Sequence, residues 1–157
     1  MVDTAYSVDE ILKNLSIEAL NKMQMEMLAT FPKRDDILLL SPTGSGKTLG
    51  FFLSILTKLR ANEDGTQVLI LAPSRELAQQ LETVFKSMKT SFKVSCCYGG
   101  HSFKTEKNNL IVPPTVLIGT PGRIADHIDK GTFNTKTVHT IVFDEFDKAL
   151  ELALQIR

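Results

Sequence analysis

The sequence predicts an α/β fold, a mostly parallel sheet with helices on both faces. Two observations carry this. Short apolar runs of β type alternate along the chain with longer segments of helical period. Most of those runs also lack the polar alternation of a strand wetted on one face, so they are expected to be buried on both sides. Strand and helix in alternation imply parallel pairing through helical crossovers.

The elements follow in order. A helical opening is expected first. The β runs are Ile37 to Leu40, Gln67 to Ala72, Val94 to Tyr98, Thr115 to Gly119 and Thr140 to Phe143. Between them lie helical candidates at Lys47 to Arg60, Arg75 to Lys89, Pro121 to Asp129 and Phe146 to Gln155. Ser74 is placed to cap the second of these. Thr120 followed by Pro121 fits an N-cap and a first helical position. Ligands of such folds sit at the carboxyl ends of the strands, so chemistry is expected just after each β run.

Composition narrows the class. The chain's 157 residues suit one domain, and 43% hydrophobic content is enough for a core. Lys+Arg and Asp+Glu both number 18. A balanced charge argues against a polybasic segment that holds nucleic acid by bulk attraction, but leaves room for a few placed phosphate contacts. Cys96 and Cys97 are adjacent, so on a strand they point to opposite faces. They are expected to be reduced, buried thiols of a cytosolic protein. His101, His127 and His139 share no ligand spacing, and no metal site is read from them. Residues 1–10 lack the basic-then-apolar pattern of a signal peptide, and the apolar stretch Leu49 to Leu56 is too short to cross a bilayer. A soluble protein of the cytoplasm, with no membrane partner, is expected.

The most specific signal follows the first β run. Ser41-Pro42-Thr43-Gly44-Ser45-Gly46-Lys47-Thr48 leads directly into a helical pattern. Gly44 and Gly46 let the backbone curl so that successive amides point inward, and the helix start adds its positive dipole end. Lys47 is expected to reach the β and γ phosphates of a nucleoside triphosphate, and the Thr48 hydroxyl to ligate Mg²⁺. The strict pattern has Gly at the first position, where this chain has Ser41; a small residue is expected to be tolerated there. The last β run ends in Asp144-Glu145-Phe146-Asp147. Asp144 is expected to hold Mg²⁺, and Glu145 to orient and deprotonate the attacking water.

These two motifs and what lies between them resemble the first RecA-like domain of a DEAD-box RNA helicase. The signatures read in order as Gln24, Ser41 to Thr48, Pro73-Ser74-Arg75-Glu76-Leu77-Ala78, Gly99-Gly100, Thr120-Pro121-Gly122-Arg123 and Asp144 to Asp147. The match runs from about Leu15 to the chain end. The resemblance implies that Gln24 reads the adenine edge, while Thr43 to Thr48 hold the phosphates of ATP or ADP. It implies that Pro73, Ser74, Arg75, Gly99, Gly100, Thr120, Pro121, Gly122 and Arg123 line the backbone path of single-stranded or short duplex RNA. Helix starts at Ser74 and Thr120, with Arg75 and Arg123, suit phosphate contact independently of the analogy. Catalysis would fall to Glu145 and Asp144, with Lys47. On this reading residues 1–30 form a helical region with the adenine-reading glutamine. Residues 31–157 form the RecA-like domain, incomplete at its C-terminus.

The chain departs from the family pattern in four places. Phe146 stands where the family usually has Ala, Ile17 where an aromatic often stacks on the base, and Lys22 where a proline is usual. The Ser-Ala-Thr segment and the second RecA-like domain, which completes the ATP site, do not appear by Arg157. The strand leading to Ser-Ala-Thr inserts between the phosphate-loop strand and the acidic strand in such folds, so a gap in the sheet is expected. Part of a longer protein, unable to unwind RNA alone, is therefore expected. Two alternatives remain. A DNA-directed translocase would not prefer RNA over DNA of the same sequence. A nucleotide-switched module that binds RNA or protein without turnover would have no need of Glu145.

Overall fold

A computed structural model describes residues 6–155. The described residues fall into two compact units, one within residues 1–60 and 87–91, the other within residues 61–86 and 92–157.

The first unit is helical. Helix α1 (Val8–Asn14) is capped by Ser7 and buries Ile11 and Leu12. Helix α2 (Lys22–Thr30) opens with a capping box. The Asn21 side chain accepts from the Gln24 amide, and the Gln24 side chain accepts from the Asn21 amide, each at 2.9 Å. Helix α3 (Lys47–Leu56) is buried over its whole length from Leu49 onward, and Phe52, Leu53 and Ile55 have no exposed surface. Burial of each such side chain contributes roughly 1.5–3 kcal/mol. Its one hydroxyl in that stretch, Ser54, is satisfied by donating back to the Gly50 carbonyl at 2.8 Å. Of the three methionines around Gln24, Met23 and Met27 lie over Gly50, with sulfurs 3.6 and 3.2 Å from where its Cβ would stand. Met25 is exposed.

The run Ile37 to Leu40, expected as a strand, is not one. It pairs with no strand among the described residues, and Ile37, Leu38 and Leu40 are 37, 74 and 85% exposed. A β conformation is held by its ladder, and an apolar run without a neighbour to bond gains nothing from extending.

The second unit holds the sheet, whose order is β2-β3-β1-β4. Its strands are β1 (Val68–Leu71), β2 (Val94–Cys97), β3 (Val116–Gly119) and β4 (Thr140–Phe143), and every pairing is parallel. The helices are α4 (Arg75–Ser87), α5 (Phe103–Asn109), α6 (Pro121–Asp129) and α7 (Phe146–Gln155). Parallel crossovers are right-handed, and the chain moves one way across the sheet through α4 and back through α5 and α6. That puts α4 on one face and the other two opposite.

Central strands β1 and β3 are buried on both faces, as their unbroken apolar sequence requires. One face meets a cluster of Leu69, Leu117 and Cys97 with Leu110 and Ile124. The end strand β4 departs from that expectation: its burial alternates, and Ile141 and Phe143, which share one face, are about half exposed. Helix α5 was not anticipated. Its sequence, FKTEKNN, has only one buried residue, so helical periodicity is weak, and the start is fixed by the Ser102 hydroxyl accepting from the Thr105 amide. Ser74 caps α4 by accepting from the Leu77 amide at 3.2 Å. Thr120 occupies the cap position of α6 but makes no side-chain cap bond.

Candidate functional site: a phosphate loop and a row of strand ends

In the first unit the phosphate loop is tied to α2. Gly44 and Gly46 take left-handed backbone angles, φ 81° and 82°, and the loop closes as the Ser45 amide donates to the Pro42 carbonyl at 3.2 Å. The Ser41 and Ser45 hydroxyls are hydrogen-bonded across its base. Gln24 is buried, 5% exposed, and its Nε2 donates to the Gly46 carbonyl at 3.0 Å. Asn21 Nδ2 donates to the Ser45 carbonyl at 2.9 Å. A Cβ at Gly46 would stand 2.6 Å from Gln24 Nε2, and the left-handed φ of 82° would strain any side chain there.

Gln24 and the loop, twenty residues apart in sequence, are thus one assembly. These two contacts use one N–H and one acceptor position of the Gln24 amide and leave one N–H and one lone pair outside them. Lys47 and Thr48 open α3 as its first two residues. The residues fit a triphosphate: the position of a Gly44 Cβ has no atom within 4 Å, so the loop's amides are approachable. The Thr48 hydroxyl and Asp144 carboxylate are hard oxygen donors of the type Mg²⁺ takes.

In the second unit, register aligns the strand ends. Gly119 pairs with both Leu71 and Cys97, and Leu71 also pairs with Phe143. The segments that follow therefore emerge at one carboxyl edge. They are Pro73 to Ala78, Gly99-Gly100, Thr120 to Arg123 and Asp144-Glu145. The Asp144 amide continues the ladder to the Leu71 carbonyl at 3.0 Å, and the residue is 7% exposed. Glu145 turns the chain into α7 from a left-handed backbone, φ 54°, rare for a residue with a side chain. Its carboxylate pairs with Lys148 at 2.6 Å, and this hydrogen bond pushes the Lys148 ammonium's pKa up. Phe146 is exposed and packs edge-on against Phe143.

The arginines differ. Arg75 is exposed beside Glu76, with Nη1 2.8 Å from where a Gly100 Cβ would be. Arg123 is mostly buried, donating from Nε to the Tyr98 carbonyl at 3.2 Å and from Nη2 to the His101 carbonyl at 2.7 Å. It holds the Gly99-Gly100 loop. Lys86 is exposed and paired with Glu82, whereas Lys93 donates to the Asn109 and Val112 carbonyls.

Sequence reasoning missed a buried polar cluster behind this loop. Glu106 and His127, 1% and fully buried, are joined by an Nε2 to Oε2 contact of 2.7 Å. The only sequence signal was Arg123 and His127 at i and i+4 on one helix face. Cys97, Glu106 and His127 offer ligand atoms within 4.8 Å of one another. Two ligands of a tetrahedral metal lie about 3.4 Å apart at ordinary bond lengths. The 2.7 Å contact is a hydrogen bond, and the Arg123 cation lies 3.4 Å from the same oxygen. The cluster is a hydrogen-bonded network rather than a metal centre.

Cys96 and Cys97 are free thiols, partly and fully buried. Burial, reinforced by nearby carboxylates, pushes both up to about 12. The thiolate is the reactive form. At pH 8 the folded chain is expected to resist iodoacetamide and the urea-unfolded chain to be alkylated at both positions, as read by intact mass. Rapid labelling of the folded chain would contradict this environment.

Comparison with known proteins agrees with the geometry. The model of the DEAD/DEAH box helicase family matches residues 21–155. ATP-dependent rRNA helicase RRP3 of Kluyveromyces lactis is 36% identical over 155 residues, covering 96% of this chain and 32% of that protein. ATP-dependent RNA helicase DDX50 of Homo sapiens is 32% identical over 149 residues, covering 91% and 20%. The crystal structure of a DEAD box protein from the hyperthermophile Methanococcus jannaschii superposes with a TM-score of 0.85 at 31% identity, over 94% of this chain and 42% of that one. The chain spans between a fifth and a third of the length of these curated relatives. No helix among the described residues is long and apolar enough to cross a membrane. With the family's motif segments at the strand ends and its model matched over most of the length, the chain belongs to the DEAD/DEAH box helicase family.

Proposed function

We propose that this chain is the nucleotide-binding half of an ATP-dependent RNA helicase. It binds Mg²⁺-ATP and part of a single-stranded RNA backbone, while hydrolysis and unwinding require a second RecA-like domain. The observation that carries the reading is the bond from Gln24 to Gly46. It couples a residue with the hydrogen-bonding pattern to read adenine to the loop suited to hold phosphates.

On this reading residues 1–30 carry the adenine-reading helix, and the RecA-like domain occupies 31–157. The amides of Thr43 to Thr48 and the Lys47 ammonium hold the phosphates. Thr48 and Asp144 would hold Mg²⁺, which would supply neutralising charge to the phosphates. Glu145 accepts a proton from the attacking water in the assembled protein. The strand-end segments at Pro73 to Arg75, Gly99-Gly100 and Thr120 to Arg123 meet phosphates through helix starts and glycine backbone. This grip is independent of base sequence. RNA is the proposed nucleic acid because the relatives named above are RNA helicases. A cytoplasmic location is part of this proposal, and the two free thiols are compatible with a reducing compartment.

The test is a titration of the chain with a fluorescent ADP analogue and Mg²⁺, competed by ADP and by GDP. ADP is expected to displace the probe at least about tenfold better than GDP. Gln24→Ala is expected to weaken binding and erase that preference, a loss of about 1.5–3 kcal/mol for a buried, doubly bonded amide. Equal displacement by ADP and GDP in the wild type would remove Gln24 from the base site. No binding by a folded chain would refute the reading.

A further inference from the structure

We propose that Glu106 and His127 are positioning residues that set the spacing of two RNA-backbone segments, the Gly99-Gly100 loop and the first turn of α6; the inference rests on the function proposed above. Both residues are buried. Both act through Arg123 and the backbone of the loop.

The geometry is that of a brace with three anchors. Glu106 on α5 accepts from the Tyr98 amide through Oε1 at 3.0 Å and binds His127 Nε2 through Oε2 at 2.7 Å. Arg123 Nε lies 3.4 Å from the same Oε2, and the exposed His101 ring lies 3.6 Å from Oε1. Arg123 then donates to the carbonyls of Tyr98 and His101. The loop is therefore held at the N–H of Tyr98 and at the carbonyls on both sides of Gly99-Gly100. The two glycines between are fixed by their neighbours, although they have no side chains of their own.

The α6 end is locked in turn. Arg123 and His127, four residues apart, meet Glu106 from one helix face. His127 is also bonded through Nδ1 to Thr132 Oγ1 at 2.8 Å, and its ring stacks on Phe103 at 4.3 Å. A buried carboxylate beside an arginine and imidazole groups is a poor device for stability alone, since well-packed apolar residues do as well or better. It is a good device for geometry, because the directed bonds allow one arrangement.

The test compares wild type, Glu106→Gln and Glu106→Ala in the whole chain. Three readouts are taken: hydrogen exchange of residues 98–101, anisotropy with a fluorescent oligouridylate and Mg²⁺-nucleotide, and affinity for the ADP analogue. Glu106→Ala is expected to speed exchange of the loop amides at least about tenfold. It is expected to weaken RNA binding about tenfold and to leave ADP affinity within about twofold. Glu106→Gln, which still accepts from the Tyr98 amide, is expected to fall between. General loss of structure would lower both affinities together, so the split separates positioning from stability. If Glu106→Ala fails to fold, Glu106→Gln carries the test alone. Unchanged loop exchange and RNA affinity in a folded variant would overturn the brace. Faster loop exchange with no RNA binding even by wild type would uphold the brace but refute the RNA-binding reading.

Discussion

Gly119→Ala is expected to lower the melting temperature by roughly 6–12 °C, the effect of about 3 kcal/mol in a chain of this size. Gly119 ends β3, paired with Leu71 on one side and Cys97 on the other. A Cβ there would stand 2.6 Å from the Cys97 carbonyl oxygen and 2.6 Å from two carbons of Ile124. The carbonyl belongs to the ladder, accepting from the Thr120 amide at 3.1 Å, so it cannot retreat without breaking the sheet. Ile124 is core, buried with Leu69 and Leu117. Overpacking of this kind usually costs 1–3 kcal/mol, and a backbone obstacle puts it at the upper end. Gly122→Ala is the control. Its Cβ would meet nothing within 4 Å, and in the first turn of α6 alanine is expected to be neutral or slightly stabilising. Thermal melts followed by circular dichroism check both. A melting temperature for Gly119→Ala within about 2 °C of wild type would mean the strand end yields, contrary to the close packing described.

Lys47→Ala is expected to reduce affinity for the ADP analogue at least about 100-fold, or about 2.7 kcal/mol, with no loss of fold. Among the described residues no hydrogen bond or ion pair engages the Lys47 ammonium. Its removal therefore leaves no partner stranded, and alanine is a good helix former at the start of α3. The charge is otherwise a cost, half-buried at a helix N-terminus whose dipole repels it. On the proposed function this cation serves a phosphate rather than the chain's own stability. Isothermal titration with ADP and Mg²⁺, beside a melting curve, separates the two effects. An affinity lowered less than about threefold would put the phosphates elsewhere.

The parts of this fold that the sequence determined are those that local rules govern. The phosphate loop is legible because glycines at 44 and 46 are needed for left-handed backbone, and the observed angles are left-handed. The buried strands β1 and β3 are legible because residues covered on both faces have no polar alternation. Helix starts at Ser74 and Thr120 were marked by cap residues, though only Ser74 makes the bond.

What tertiary structure alone decided depends on partners distant in sequence. Residues 37–40 are as apolar as β1, yet form no strand, because β structure requires a neighbour and propensity does not supply one. His127 is a histidine without ligand spacing, and nothing in the sequence singles out Glu106. Only the return of α6 toward α5 makes them a buried pair. Gln24 is expected from the resemblance at the adenine edge, and the fold in addition makes it the prop of Gly46. A sequence records which backbone angles and which faces each segment prefers. It does not record which far segment will stand opposite, since that is fixed by the packing of the whole core.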